Sequence, residues 1–160
     1  MRRPWNYPAL PVYSVCTEGN MNICTYFTAV SMKPKRFMIA VYKNTKTLDN
    51  VQKDKRVLVQ LLCETHSKHV RRLGMRSGKD GYKLKGLPLK EYKGLPYLDG
   101  ALAIMELNIV SMHDEGDHWC CFADLVSYKS LCDGDVLTTT STGRSKGGWS
   151  RTRGNPSRQP

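Results

Sequence analysis

Short apolar stretches alternate with polar turns along most of the chain, which is the pattern of a β-rich fold. Runs that are rich in β-branched and aromatic side chains predict strands. Two of these runs, 36–42 and 56–62, are apolar almost throughout, as expected of buried strands. The remaining predicted strands are 11–17, 21–31, 101–112 and 119–128.

Glycine and asparagine mark the turns between these strands. Gly19 and Asn20 tolerate the positive φ values of tight turns, so 11–17 and 21–31 should pair as a hairpin. A second hairpin is predicted across 113–117, a loop that contains Gly116. Residues 75–100, which are rich in glycine and lysine, predict a loop.

Helical signals are confined to two segments. Thr47 is the predicted N-cap of a short helix over residues 48–54, with Asp49 in its first turn. Residues 64–74 predict a second helix that ends at Gly74. Because short strands outnumber helices, the sequence favours an antiparallel, all-β-dominated barrel with short helices over an alternating β/α fold.

Length and composition narrow the class of protein. A chain of 160 residues forms one domain with a real core. No apolar run approaches the roughly 20 residues of a membrane helix, and the N-terminal residues lack the apolar stretch of a signal peptide. We therefore expect a cytoplasmic protein without membrane contact, with a domain over 1–137 and a basic, disordered tail over 138–160.

The net charge of +11 favours anionic partners such as nucleic acid, phosphorylated cofactors or acidic surfaces. Without the basic residues of the tail the charge falls to +6, so charge alone does not identify the partner. These tail residues are Arg144, Lys146, Arg151, Arg153 and Arg158.

The six cysteines show no disulfide framework, and in a reducing compartment they predict free, mostly buried thiols. Cys63, His66 and His69 would spread around a helix rather than converge on a metal ion. Cys120 and Cys121 would point to opposite sides of a strand, which is poor geometry for a redox pair. We expect no metal site.

A phosphate site is predicted where the apolar strand 36–42 runs into a helix. A helix N-terminus offers unpaired backbone N–H groups, and neighbouring hydroxyls and lysines add donors. A plain helix cap in a lysine-rich turn explains this segment equally well. The candidate ligands are Lys43, Thr45, Lys46, Thr47 and Asn50.

An ordered set of motifs runs through the chain from about residue 8 to 131. The motifs are Gly19-Asn20-x-Asn22-Ile23-x-Thr25, Ala29-Val30-Ser31-x-x-Pro34, Lys46-Thr47-x-x-Asn50, the stretch 94–107, and Gly116-Asp117-His118. In this order they resemble the flavin reductase-like proteins of the FMN-binding split-barrel superfamily. Two departures stand out: Lys33-Pro34-Lys35 replaces a common double proline, and the usual ending is replaced after about Thr139.

The resemblance implies a split barrel that binds FMN and transfers a hydride from NAD(P)H to it. It implies a homodimer with the flavin at the interface, and a monooxygenase or another acceptor for the electrons. His118 would lie beside the open face of the flavin. Asn22 and Thr25 would bond the cofactor's polar atoms, Ala29, Val30 and Ser31 would present backbone groups to the ring, and Lys43, Thr45, Lys46, Thr47 and Asn50 would hold the phosphate.

Two other functions stay open at this point. The first is an FMN-binding electron carrier without NAD(P)H reductase activity. The second is a split-barrel protein that binds nucleic acid through the basic residues between 71 and 93. Those same residues could take the extra phosphate of NADPH, or form a solvated face.

Overall fold

The computed structural model describes residues 3–141, and most of the tail predicted at 138–160 lies outside these residues. The described part contains nine strands and two α-helices. The strands are β1 (Tyr13–Thr17), β2 (Asn20–Cys24), β3 (Phe27–Ser31), β4 (Arg36–Tyr42), β5 (Arg56–Leu61), β6 (Leu89–Tyr92), β7 (Leu95–Leu98), β8 (Ala103–Asp114) and β9 (His118–Ser130). The helices are α1 (Lys46–Lys53) and α2 (Ser67–Met75), with short 3-10 turns at Pro4–Asn6 and Glu64–His66.

Seven of the strands form one antiparallel sheet in the order β2-β1-β5-β8-β9-β4-β3. The two edge strands, β2 and β3, follow each other in the chain and are joined only by Thr25 and Tyr26. Three Cα steps separate Cys24 from Phe27, and at 3.80 Å each they span at most about 11 Å. The sheet must therefore curl until its edges meet, which gives a barrel open between β2 and β3. This confirms the predicted antiparallel split barrel.

Two secondary-structure predictions were wrong. The stretch 21–31 is not one strand, because the chain crosses at Thr25 from one sheet edge to the other: β2 pairs with β1 and β3 pairs with β4. The predicted loop 75–100 contains the hairpin of β6 and β7. Its turn places Lys93 at φ 48° and Gly94 at φ 84°, and two successive positive φ values are typical of a tight hairpin turn.

Both predicted helices form, with different ends. Thr45, not Thr47, is the N-cap of α1, because Thr45 Oγ1 accepts a hydrogen bond of 3.2 Å from Leu48 N. Helix α2 continues through Gly74 to Met75. At its end the buried Lys83 donates from Nζ to the carbonyl oxygens of Leu73 at 2.8 Å and Arg76 at 3.2 Å. Lys83 thereby satisfies carbonyl groups that a helix end leaves unpaired.

Two apolar clusters form the core, and β5 contributes to both. Val57 and Val59 face the barrel interior, where Leu48 and Val51 of α1 also pack. Leu58 faces the opposite side, under α2 and the hairpin of β6 and β7. Burial on both faces explains the continuous apolar run that predicted this strand. Strand β4 differs from the prediction, since only its alternate residues Ile39 and Val41 are fully buried.

A buried carboxylate fastens the hairpin of β6 and β7 to the barrel. Glu106 on β8 accepts from Arg56 Nε at 2.8 Å, from Lys93 Nζ at 2.7 Å and from Ser127 Oγ at 2.8 Å. The hydrogen bond from Lys93, followed by those from Ser127 and Arg56, outweighs burial and lowers the pKa of Glu106 to about 2.

The cysteines of the described residues are all free thiols. Cys16, Cys24 and Cys121 are buried, whereas Cys132 is exposed. Burial raises the pKa of Cys16 and of Cys24 to about 12, so these two thiols pack as small apolar groups. Across residues 3–141 we find no helix with the length and apolar character that crossing a membrane requires.

Candidate functional site

A cleft of about 430 Å³ lies where β2, the turn from β4 into α1 and the segment after α2 meet. It gathers five of the predicted site residues: Asn22, Lys43, Thr45, Lys46 and Thr47. Its opposite wall was not predicted and is formed by the segment after α2, with Arg76, Ser77 and Gly78.

Helix α1 begins at this cleft. The Thr45 hydroxyl donates to Tyr42 O at 2.7 Å and accepts from Leu48 N, and Asp49 N donates to Thr45 O at 3.2 Å. The first-turn N–H groups of Lys46 and Thr47 have no acceptor within the helix. They carry the partial positive charge of a helix N-terminus, so the cleft suits an anionic group such as a phosphate.

Asn20 joins β2 to the start of α1 and lies against the segment after α2. Its Nδ2 donates to Thr47 Oγ1 at 2.9 Å, and both side chains are buried. A Cβ at Gly78 would lie 2.4 Å from Asn20 Oδ1 and 3.2 Å from Lys46 Cβ. Only glycine therefore lets the segment after α2 approach the start of α1 this closely. The Thr47 hydroxyl, which accepts from Asn20, keeps its own proton to donate.

The two lysines of the cleft differ in their partners. Lys43 Nζ lies 2.6 Å from Asp114 Oδ1, an ion pair that holds the pKa of that carboxyl below its usual range. The charge of Lys43 is therefore directed toward the hairpin of β8 and β9. Lys46 makes no ion pair with any carboxylate among residues 3–141. Its ammonium is the better placed of the two to receive an anion.

Five predicted ligands lie outside this cleft. Asn50 faces the turn between β1 and β2, where its Nδ2 donates to Thr17 Oγ1 at 2.8 Å and to Glu18 O at 3.0 Å. The amide group of Asn50 thus donates its hydrogen bonds within the protein, and its role as a phosphate ligand stays a prediction. The other four lie at or beyond the crossing between β2 and β3: Thr25 in the link, and Ala29, Val30 and Ser31 on the edge strand β3.

His118 lies between the cleft and β3. It is the first residue of β9 and pairs with Tyr42, which lines the cleft. Its Nδ1 lies 2.6 Å from Asp117 Oδ1. Its ring meets Tyr42 edge-on at 5.0 Å between centroids and Tyr26 at 5.6 Å. A polar and aromatic band formed by Tyr42, His118 and Tyr26 therefore leads from the cleft toward the exposed strand β3.

Other residues of the cleft carry no functional signal in the sequence. The sequence pattern places Asn20 in a turn and Tyr42 in a buried strand. The contribution of Arg76 and Gly78 depends on packing between segments that are distant in the sequence, so no local pattern revealed it.

The Cys63, His66 and His69 segment is structural. The buried His66 accepts from Cys63 N at Nδ1 (3.2 Å), which leaves its Nε2 to donate to Asp99 O at 2.8 Å. Both ring nitrogens of His66 are thus used to join the turn after β5 to the residue that follows β7. Across residues 3–141 no group of three His, Cys, Asp or Glu side chains is arranged to hold a metal ion.

Comparison with known proteins connects this geometry to a family. The family model described as "Flavin reductase like domain" matches residues 6–141. The reductase subunit HsaB of a flavin-dependent monooxygenase from Rhodococcus jostii (strain RHA1) is 28% identical over 109 residues, which are 68% of this chain and 54% of that protein. The chain thus spans about half the length of this relative.

A second relative is matched over more of its length. The ferric-chelate reductase (NAD(P)H) of Archaeoglobus fulgidus is 29% identical over 135 residues, with 79% of each chain covered.

Solved structures support the fold. BorF, the flavin reductase component of a bacterial two-component tryptophan halogenase, superposes with a TM-score of 0.76 at 20% identity. The match covers 86% of this chain and 90% of the BorF chain. The NADH:FAD oxidoreductase SgcE6 of Streptomyces globisporus, in complex with NAD and FAD fragments, superposes with a TM-score of 0.73 at 21% identity. The match covers 81% of this chain and 80% of the SgcE6 chain.

Proposed function

The chain belongs to the flavin reductase-like family, and from this membership and the cleft at the start of α1 we propose that it binds FMN and transfers a hydride from NAD(P)H to the flavin. The observation that carries the proposal is the meeting of Asn22, Lys46 and Thr47 with the unpaired first-turn N–H groups of α1 in one cleft.

The phosphate of FMN is assigned to this cleft. Lys46 supplies a positive charge, the N–H groups of Lys46 and Thr47 supply directed donors, and the Thr47 hydroxyl can donate a further hydrogen bond. Asn22 lies on the β2 side of the cleft and would contact the polyol chain. These donors match the charge and the hydrogen-bond acceptors of a phosphate ester, and this match supports the proposal that the ligand is FMN.

The ring of the flavin is assigned to the band that runs past Tyr42 toward β3. The backbone of Ala29, Val30 and Ser31 on this edge strand would contact the ring, and Thr25 would bond a polar atom at its margin. When bound, the flavin supplies the acceptor for a hydride from NAD(P)H. His118, in contact with Tyr42 and Tyr26, would orient the nicotinamide over the ring.

A homodimer is part of the proposal. Val30 is 47% exposed and Met32 is 76% exposed on or next to the edge strand β3, where the ring is assigned. A second copy would cover these apolar side chains and exclude water from the ring. Sedimentation of the flavin-loaded protein should give twice the monomer mass, and a monomer would remove this part of the proposal.

The electron acceptor and the location in the cell are also proposals. One relative is the reductase subunit of a flavin-dependent monooxygenase, so we expect the reduced flavin to serve a separate monooxygenase. A ferric chelate is the second candidate acceptor, after the relative from Archaeoglobus fulgidus. The cytoplasmic location expected from the sequence stays a prediction.

One purified sample tests the central proposal. Saturation with FMN followed by dialysis should leave flavin absorbance on the protein, and NADH or NADPH added without oxygen should bleach it. Riboflavin, which lacks the phosphate, should bind more weakly. Retained colour without bleaching would favour an electron carrier. A colourless protein whose affinity for nucleic acid falls steeply with salt would contradict flavin binding altogether.

A further inference from the structure

The two-residue link between β2 and β3 carries an exposed aromatic side chain. Tyr26 is 54% exposed and belongs to neither apolar cluster of the core, whereas the next residue, Phe27, packs against one of them. An aromatic ring that stays in solvent gains little from the hydrophobic effect. Core packing therefore does not explain this tyrosine, and the reason for it lies in its contacts at the surface.

The backbone of Tyr26 is held from both sides of the barrel opening. Its carbonyl oxygen accepts from Ala40 N on β4 at 3.0 Å and from the thiol of Cys24, at the end of β2, at 3.4 Å. Among residues 3–141, the one ring that its side chain contacts is that of His118, with 5.6 Å between the centroids. Closure of the barrel thus brings Tyr26 to a histidine that is distant in the sequence.

The imidazole of His118 lies between two tyrosine rings. Tyr42 meets it edge-on from β4 at an interplanar angle of 76°, and Tyr26 meets it from the link at 62°. Its Nδ1 lies 2.6 Å from the carboxylate oxygen of Asp117. Because a carboxylate only accepts, the proton of the neutral ring is on Nδ1 and Nε2 keeps a lone pair. Within residues 3–141 this Nε2 makes no hydrogen bond.

Asp117 alone does not fix the plane of this imidazole. Its side chain is 75% exposed in the loop before β9, and a single hydrogen bond leaves the ring free to turn about the line from Nδ1 to the carboxylate. An edge-on aromatic contact is directional, because the positive edge of one ring meets the negative face of the other. The contacts with Tyr42 and Tyr26 therefore restrict the turn and define one orientation of the His118 ring.

We propose that Tyr26 is a positioning residue for hydride transfer: it holds His118 so that Nε2 accepts a hydrogen bond from the carboxamide N–H of the nicotinamide. The inference rests on the proposed function, because it takes His118 to orient the nicotinamide. Tyr26 acts through His118 and needs no contact with the cofactor. Neither ring gains or loses a proton in this role, since the hydride passes from the nicotinamide to the flavin.

The test compares Tyr26→Ala, which removes the ring, with Tyr26→Phe, which keeps it. Tyr82→Ala, a change at a 64% exposed tyrosine outside the link, is the control. The first measurement is the mobility of the His118 imidazole in the flavin-free proteins by NMR relaxation, with the resonance assigned by its absence from His118→Ala. Ring mobility should rise in Tyr26→Ala and stay at the wild-type level in Tyr26→Phe and in the control.

The second measurement is the rate of flavin reduction in the FMN-loaded proteins without oxygen, with two hydride donors. NADH carries the carboxamide, and the reduced 3-acetylpyridine analogue carries an acetyl group that has no N–H to donate. Tyr26→Ala should slow reduction by NADH roughly fivefold, the size expected from the loss of one edge-on aromatic contact. With the analogue, Tyr26→Ala and the wild type should react at equal rates, because the hydrogen bond to Nε2 is absent from both.

Three results would overturn the inference while the proposed function stands. A His118 ring that is no more mobile in Tyr26→Ala than in the wild type would show that the contact does not hold it. An equal loss of rate with both donors would show that Tyr26 does not act through the carboxamide. A loss in Tyr26→Phe as large as in Tyr26→Ala would assign the effect to the hydroxyl. A wild type that binds FMN but is not reduced by NADH would instead contradict the proposed function itself.

Discussion

The amide nitrogen of Asn20 donates a hydrogen bond of 2.9 Å to the hydroxyl oxygen of Thr47, and both side chains are only 2% exposed. The bond joins the start of β2 to the first turn of α1, which are distant in the sequence. It fixes the orientation of the helix start in which the proposed phosphate site lies.

Thr47→Val replaces the hydroxyl with a methyl group of similar size. Asn20 Nδ2 then stays buried without its acceptor, and the unfolding free energy should fall by about 1–3 kcal/mol. Affinity for FMN should fall as well, since the Thr47 hydroxyl is also a proposed donor to the phosphate. Urea unfolding and FMN titration measure the two effects.

Thr47→Ser is the control: it keeps the hydroxyl and should preserve both the stability and the FMN affinity. If Thr47→Val and the wild type bind FMN equally well, Thr47 does not belong to the phosphate site.

Gly78→Ala tests the close approach of the two cleft walls. The added Cβ would lie 2.4 Å from Asn20 Oδ1, so the segment after α2 must move outward. We expect FMN affinity to fall by roughly tenfold, because a displacement of the wall misaligns the groups around the phosphate. Tyr82→Ala, a change at a 64% exposed residue of the same segment, serves as the control.

The clash also predicts a specific coupling between the two positions. In an Asn20→Ala background, which removes the obstructing oxygen, Gly78→Ala should cost much less FMN affinity than it does alone. Additive losses in this double-mutant cycle would mean that the glycine acts through something other than the contact with Asn20.

The stability contribution of Glu106 should depend on pH. Its pKa of about 2 in the folded protein lies below the ordinary 4.5, so the ionised form favours the folded state. The contribution is present above about pH 4.5 and is lost as the pH falls toward 2. Glu106→Gln should cost about 1–3 kcal/mol of unfolding free energy at pH 7, since Lys93 is half-exposed and partly screened.

Unfolding curves of the wild type and Glu106→Gln between pH 7 and pH 3 measure this difference. The gap between the two proteins should narrow as the pH falls. A gap that stays constant would assign the effect to packing instead of charge.

The sequence revealed those parts of the site that are contiguous in the chain. Lys43, Thr45, Lys46 and Thr47 follow an apolar strand directly, and a strand that runs into a helix start is a local pattern. The sequence predicts the N-cap at Thr47, two residues after the observed cap Thr45, because both threonines are good caps. Only the fold shows that Thr47 is turned inward to Asn20, while Thr45 binds Leu48 N.

Features that depend on contacts between distant segments were not predictable. Residues 21–31 contain neither glycine nor proline, so nothing in their composition marks the crossing at Thr25. The crossing arises from closure of the barrel. The hairpin of β6 and β7 was missed because Lys90 and Glu91 make β6 polar. It is held through tertiary bonds such as that between Gln60 Oε1 and Leu98 N at 2.9 Å.

His118→Ala tests the proposed alignment of the nicotinamide. FMN should stay bound, because His118 does not line the phosphate cleft. The rate of flavin reduction by NADH should fall about tenfold or more, because the imidazole that contacts Tyr42 edge-on and is proposed to orient the nicotinamide is lost. Stopped-flow absorbance of the FMN-loaded protein without oxygen gives this rate. The matched control is His113→Ala, a change at an exposed histidine of β8 whose ring meets Phe122. Equal rates for both variants and the wild type would make His118 a surface residue.

Asp114→Asn tests whether Lys43 is a reserve ligand of the phosphate. In the structure Lys43 Nζ is held 2.6 Å from Asp114 Oδ1 on β8. Neutralising the carboxylate releases the ammonium, which can then turn toward a phosphate in the cleft that Lys43 also lines. We expect FMN to bind several-fold more tightly at low salt, with the gain shrinking as salt screens it.

Riboflavin separates this effect from a change in the shape of the cleft. Because riboflavin lacks the phosphate, its affinity should be the same for Asp114→Asn and the wild type. Adding Lys43→Gln to Asp114→Asn should abolish the gain for FMN, since no ammonium is then left to turn. A gain that persists in the double variant would show that Asp114 itself repels the phosphate, and that Lys43 serves only to neutralise it.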